Sequence, residues 1–328
     1  MDYAIIGALI ELGFFGLLFG VGLAIAAKKF AVEVDPRVEQ VMEVLPNANC
    51  GACGYPGCSG FAKAVVAGEA PVDGCVPGGA EVANKIAEIL GVSVGEVKEP
   101  MVAVARCHGG TRAKDKFIYE GIHDCRAAKI VASGFKVCEF GCLGLGTCVE
   151  ACPFDALSMG EDDIPVTDFD KCTGCGICVS VCPNDVMVLV PKSAPIYVAC
   201  NSKDPGAFVR KACESGCIAC RMCERYCHTG AIKVTENLAS IDYAKCDGCG
   251  VCIEVCPTKT ILNKFVDILK QHNGVPAPVP TNPEETKKLL AQLKEEEKKK
   301  REAAKAKAAA AKAKAQTQPQ KPEQKSEQ

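Results

Sequence analysis

The hydrophobic positions change character several times along the chain. From Ala4 to Ala27 they run on with a single charge, Glu11. At about 1.5 Å of rise per residue this is enough to cross a hydrocarbon core about 30 Å thick, so the pattern predicts a transmembrane helix. Asp2 precedes it and Lys28–Lys29 follow it. The missing N-terminal basic residue and the length of the run argue against a cleaved signal peptide, and the positive-inside rule then places everything after residue 28 on the cytoplasmic side. Val34, Val38, Val41 and Leu45 recur at helical spacing, with Pro36 tolerated near the helix start. A further helix is expected from about Ala80 to Leu90, ended by Gly91. From Pro276 the chain reads PAPVPTNP, then a Lys/Glu/Ala-rich run, then QTQPQKPEQKSEQ, which predicts a solvated helix grading into disorder.

Composition explains why so little of the pattern between the helices looks like a core. The 328 residues include no Trp, 5% aromatics, 31 Gly and 24 Cys, so something other than apolar burial must hold much of the chain together. With the cysteines in a reducing compartment, disulfides are an improbable use for them. The net charge of −2 hides an asymmetry: 13 Lys/Arg face 8 Glu between Thr281 and Gln328, whereas residues 1–100 carry 6 basic and 12 acidic residues. Interspersed Glu, abundant Ala and the lack of aromatics make the basic tail a solvated segment rather than a nucleic-acid surface. Within the apolar run, Gly7, Gly13, Gly16, Gly20 and Gly22 offer close-packing faces to neighbouring membrane helices. Glu11 there reads either as a partner-helix or ion-path carboxylate or, more simply, as a group that snorkels or faces a neighbour without chemistry.

The cysteine spacing carries the chemistry. Two stretches fit C-x2-C-x2-C-x3-C-P, namely Cys172, Cys175, Cys178, Cys182 with Pro183 and Cys246, Cys249, Cys252, Cys256 with Pro257. A third, Cys217, Cys220, Cys223, Cys227, has His228 where Pro is usual. In such a run three close thiolates wrap one [4Fe–4S] cube and the fourth reaches the cube of a partner motif. Zinc ribbons need C-x2-C knuckles separated by longer loops. His228 could shift the potential of its cube or be a plain turn residue. The four His (108, 123, 228, 272) show no metal-pair spacing.

A fourth run exists in altered form. KVCEFGCLGLGTCVEACPFDAL, from Lys136, aligns with KACESGCIACRMCERYCHTGAI, from Lys211, with Leu145 where the second copy has Cys220. The chain therefore contains an internal repeat, each copy a two-cluster ferredoxin-like unit. Thiol arithmetic assigns Cys217, Cys220, Cys223 and Cys256 to one cube and Cys246, Cys249, Cys252 and Cys227 to another. In the first repeat Cys172, Cys175, Cys178 and Cys152 form one site, while Cys142, Cys148 and Cys182 lack a fourth ligand. Cys125, in an insertion without counterpart, is expected to supply it, leaving Cys107, Cys138, Cys200 and Cys213 for a cube shared between the repeats. The competing assignment has Cys138 complete the first-repeat cube. A separate motif, Cys50, Cys53, Cys58 and the distal Cys75, has glycines at 51, 54 and 57 that let backbone close around a cube; zinc is the alternative there. Six cubes then account for all 24 Cys.

The expected fold is α+β. It comprises a transmembrane anchor (1–29), a small [4Fe–4S] domain (30–95), tandem ferredoxin-like units (96–191 and 192–270), and a Pro-containing linker with a helical to disordered tail (271–328). CGACGYPGC with its distal Cys75, MVAVARCHGG and CLGLGTCVEACPFDAL behind an N-terminal span resemble the B subunits of the Rnf complexes, over about residues 3–265. The resemblance implies a membrane-bound, Na+- or H+-translocating ferredoxin:NAD+ oxidoreductase whose B subunit accepts electrons from soluble ferredoxin. The implied partners are that ferredoxin, the other membrane and peripheral subunits and the lipid bilayer, with no nucleic acid. No Gly-rich dinucleotide fingerprint is visible, so NAD and flavin sites are expected on other subunits. The tandem units are expected to meet ferredoxin, and the Cys50–Cys75 segment to pass electrons toward the membrane. A tethered polyferredoxin serving a hydrogenase or other reductase, and an iron–sulfur sensor without turnover, are the other classes the residues allow.

Overall fold

The computed structural model describes residues 2–29, 35–95, 99–264 and 283–316. Helix α1 (Asp2–Lys29) spans the apolar run. Its large apolar side chains from Leu12 onward are exposed, Leu12 and Leu23 to 71%. Within it, Glu11–Lys29 is long and apolar enough to be a candidate membrane span.

The next unit is three helices, α2 (Pro36–Val44), α3 (Gly57–Val66) and α4 (Gly79–Leu90). Asp35 caps α2 by accepting from Arg37 N at 2.9 Å, and Pro36 occupies the first turn, where its missing N–H costs nothing. Of the predicted stripe, Val38, Val41 and Leu45 pack on Phe61, Val65 and Ile86, and Val34 lies outside the described residues. The left-handed residue that ends α4 is Gly91, at φ 67°.

Two units of identical topology follow. In the first, β1 (Met101–Ala105) pairs antiparallel with β4 (Met187–Pro191), enclosing the hairpin of β2 (Leu157–Met159) and β3 (Pro165–Thr167). Between these strands lie the short helices α5 (Cys125–Ile130), α6 (Thr147–Glu150) and α7 (Ile177–Val181). In the second, β5 (Ile196–Val198) pairs with β8 (Ile261–Asn263) around the hairpin of β6 (Ile232–Thr235) and β7 (Leu238–Ile241). Its helices are α8 (Gly206–Ala212), α9 (Met222–Arg225) and α10 (Val251–Val255). The sequence repeat is thus a repeat of strand pairing: first strand with last, the inner two with each other.

The units are stitched by backbone. Lys114 N donates to Ala212 O at 2.9 Å and Val137 N to Lys114 O at 2.8 Å, so the strand-like segment at residues 113–115 bridges the stretches before Cys138 and Cys213. At the other edge the buried Lys264 ammonium donates to the carbonyls of Pro191 and Lys192 at 2.9 and 2.8 Å. Its ordinary pKa is pulled down to about 8, chiefly by burial.

The tail departs from expectation. Helix α11 (Pro283–Gln316) forms, but its first turns are docked on the second unit rather than solvated. Thr286 is buried and donates to Cys249 O at 2.7 Å. The residues expected to be disordered after Gln316, and the PAPVPTNP linker up to Asn282, lie outside the described residues.

Phe61 is 1% exposed at the centre of the three-helix unit. Phe61→Ala should destabilise that unit by about 3–5 kcal/mol, read as faster amide exchange in α2–α4 of the full chain with exchange in the strand pairs unchanged.

Candidate iron–sulfur sites

The first site grows out of the turn before α3. Cys50, Cys53, Cys58 and Cys75 line one cavity with Leu45 and Phe61. Gly57 sits at φ 78°, and a Cβ there would come within 2.8 Å of Asn49 Oδ1, the atom that accepts from Cys58 N at 2.9 Å. Only glycine lets the chain pass that close while Asn49 fixes the Cys58 backbone.

In the ferredoxin-like units the C-x2-C-x2-C runs enter a short helix after a left-handed residue, Gly176 before α7 and Gly250 before α10. Cys152, Cys172, Cys175 and Cys178 line one cavity, and Cys217, Cys220, Cys223 and Cys256 another. Cys227, Cys246, Cys249 and Cys252 also converge: burial pushes the Cys252 thiol upward, and the sulfurs of Cys249, Cys246 and Cys227 are among the groups that add to it. Backbone amides point at several sulfurs. Val186 N donates to Cys182 Sγ at 3.3 Å, and its repeat counterpart Thr260 N donates to Cys256 Sγ at 3.4 Å. Ala103 N of β1 donates to Cys172 Sγ at 3.4 Å.

The altered run is the informative one. Cys125, Cys142, Cys148 and Cys182 line a single cavity. Cys125 opens α5, whose cap Asp124 accepts from Arg126 N and Ala127 N at 2.7 and 3.0 Å, and Cys125 N donates to Thr147 Oγ1 at 2.7 Å. The Asp124 carboxyl is held at about 2, first by its hydrogen bond to the Arg126 side chain and then by the backbone of Ala127. The insertion is therefore anchored where the run lacks its thiol. Between the repeats, Cys107, Cys138, Cys200 and Cys213 line a further cavity that Cys142 also touches. Cys142 N donates to Cys107 Sγ at 3.4 Å and Cys217 N to Cys200 Sγ at 3.3 Å, so this site meets both repeats through equivalent bonds.

The donor chemistry fits iron–sulfur clusters. Each of the five cavities, open in part to solvent, spans about 320 to 470 Å³ not filled by protein atoms. Zinc would draw four sulfurs to about 2.3 Å from one point and leave no such space. Burial pushes Cys148, Cys178, Cys200 and Cys223 up to about 12, so the thiols stay neutral until a cationic core offsets their charge. The amide–sulfur bonds are of the kind that tune such a core.

The sites adjoin one another. Cys50 is among the groups around Cys175, Cys148 among those around Cys178, and Cys223 among those around Cys252. Together with the Cys142–Cys107 and Cys217–Cys200 contacts, the six groups of thiols form a continuous series.

Some neighbours escape sequence reading. His228 Nε2 lies 2.8 Å from Asp247 Oδ2, and its Nδ1 lies 3.9 Å from Cys249 Sγ. These three side chains could hold a metal ion by geometry alone, yet Cys249 stands with Cys227, Cys246 and Cys252. The partners sit 19 and 21 positions from His228, so no local spacing announces them. Thr147 as the prop for Cys125 is likewise hidden, though the Asp–Cys pair at a helix start is a usable cap signal.

Comparison with known proteins agrees with this chemistry. Residues 45–77 match an Fe-S cluster family model, residues 138–186 a 4Fe-4S dicluster domain, and residues 214–230 and 239–262 4Fe-4S binding domains. Among curated proteins, the B subunit of the ion-translocating oxidoreductase complex of Methanosarcina acetivorans is 45% identical over 80% of this chain and 99% of its own length. The B subunit of the proton-translocating ferredoxin:NAD(+) oxidoreductase complex of Clostridium ljungdahlii is 47% identical over 78% of this chain and 92% of its own. The Na(+)-translocating counterpart of Acetobacterium woodii is 47% identical over 76% of this chain and 75% of its own. With relatives this similar over most of their length, the chain belongs to the B-subunit family of the ion-translocating ferredoxin:NAD+ oxidoreductase, or Rnf, complexes.

Proposed function

We propose that the chain is the electron-receiving subunit of such a complex, taking electrons from reduced soluble ferredoxin and relaying them toward the membrane subunits. The single observation that carries the reading is the unbroken series of four-thiol sites from Cys50 to Cys252. Six [4Fe–4S] clusters, bound in the sets given above, would supply one-electron carriers of adjustable potential. The protein's part is to hold the thiols, exclude water and donate N–H groups to sulfur. Cys125 takes the place of the ligand that Leu145 cannot provide. Cys107, Cys138, Cys200 and Cys213 hold the junction through which the repeats exchange electrons.

The three-helix unit, proposed as residues 30–95, stands between the tandem units (96–191 and 192–270) and the anchor (1–29), which suits it to hand electrons to membrane partners. α1 supports a single-pass anchor, and Lys28–Lys29 at its end favour the cytoplasmic side for the sites. NAD binding is assigned to other subunits of the complex.

Electron delivery tests the reading. In the purified complex, reduced ferredoxin should bleach the cluster absorbance of the wild-type subunit within its turnover time. In Cys200→Ala the iron content should fall by about four atoms, one cube, and ferredoxin-dependent NAD+ reduction should fall at least tenfold. Full iron and undiminished NAD+ reduction in that variant would contradict the junction. A thiol transplant checks the altered run: Cys125→Ala should lose its site, and adding Leu145→Cys to it should restore both the iron and the low-temperature paramagnetic signal.

A further inference from the structure

The two repeats present matching loops, and different elements cover them. In the first repeat, the loop from Cys172 to Cys178 lies toward the N-terminal site, the Cys50 sulfur being among the charges that act on Cys175. The corresponding loop of the second repeat, Cys246 to Cys252, lies beneath α11. Thr286, 6% exposed, donates its hydroxyl to the carbonyl of Cys249 at 2.7 Å, and Cys249 is the counterpart of Cys175. Further along the same helical face come the half-buried Leu289, Leu290 and Leu293, then Glu297. Its carboxylate accepts from the Tyr226 hydroxyl and pairs with Arg225 at 3.5 Å. Arg225 and Tyr226 belong to the run that ends at Cys227. The helix therefore straddles both cysteine loops of the second repeat on the face that the first repeat turns to another electron carrier.

The attachment is light. Among its contacts are one side-chain bond to a carbonyl, the Tyr226–Glu297 hydrogen bond, three half-buried leucines and an ion pair whose arginine is nearly half in solvent. Hydrogen bonds and partly solvated ion pairs at a surface are individually weak. Past Glu297 the side chains of residues 298–306 are exposed. A helix about 10 Å across laid over this loop adds that distance to any electron transfer at Cys249, and transfer rates fall steeply with distance.

We propose that α11 is a self-docked cover over the outer electron port of the second repeat, and that a soluble ferredoxin-type carrier reaches the Cys246–Cys252 loop when the helix lifts. This rests on the electron-transfer reading above. In the exchange one electron leaves the carrier, which is oxidised, and one enters the second repeat, which is reduced; no bond forms or breaks. Because the apparent affinity of a covered site is reduced by its open fraction, a cover closed about ten times as often as open slows productive docking about tenfold.

Two forms of the iron-loaded subunit test this: a chain ending at Asn282, and full-length Thr286→Asp/Glu297→Lys, which carries the test should the shorter chain lose iron. Expected are roughly tenfold faster reduction by a reduced two-cluster ferredoxin, little change in reduction by dithionite, and faster amide exchange in residues 247–254. Equal or slower ferredoxin reduction, or unchanged amide protection, would overturn the cover. Failure of the wild-type subunit to accept electrons from ferredoxin at all would instead overturn the reading on which the cover rests, while the exchange measurement would still report whether the helix shields the loop.

Discussion

The constraint on which the rest of the structure depends is the convergence of four thiols on one enclosed space, repeated along the chain. The strands of the ferredoxin-like units are three to five residues long and lie in two-stranded sheets. Pairs that short are marginal in water by themselves. The aliphatic residues buried around them, Ile196, Ile232, Leu238, Ile261 and Met187 among them, are interspersed with alanines such as Ala103, Ala105, Ala199 and Ala239, which contribute little apolar burial each. Cysteines stand among those residues as core members: Cys148 and Cys178 in one unit, Cys200, Cys223 and Cys252 in the other. Part of the ligand set is thus part of the core, and what binds the thiols also helps to close the fold.

That overlap explains how the repeat was elaborated. With Leu145 in place of a thiol the site lacks one of its ligands, so a replacement must enter the same cavity. Cys125 does so from an insertion fastened by Asp124 and Thr147. The bridge through residues 113–115, between the stretches before Cys138 and Cys213, brings the remaining thiols of the two copies to a common wall. The series of sites follows from strand pairing and loop anchoring rather than from a separate architecture.

Much of this was legible in the sequence because cysteine spacing is a direct image of geometry. A C-x2-C-x2-C run closes on one point whatever surrounds it, and the repeat could be read by laying one copy over the other. The helix α4 with Gly91 and the stripe Val38, Val41, Leu45 were legible for a similar reason, being local periodicities. What the sequence did not disclose depends on long separations. The contact between Thr286 and Cys249, 37 positions apart, has no periodic signature, and the Lys/Glu/Ala composition of α11 hides its stripe of Leu289, Leu290 and Leu293. The approach of His228 to Asp247 is equally non-local. Strand pairing of β1 with β4 across more than eighty residues emerges only once the loops between them have closed on their sites.

If the thiol sites are part of the core, removing the metal should undo the fold of the tandem units. The direct measurement is amide exchange on the full chain before and after anaerobic chelation of its iron, followed at β1, β4, β5 and β8. The account predicts that the protection of all four strands collapses together on iron removal and returns on reconstitution with iron and sulfide. Strands that kept their protection in the iron-free chain would contradict it.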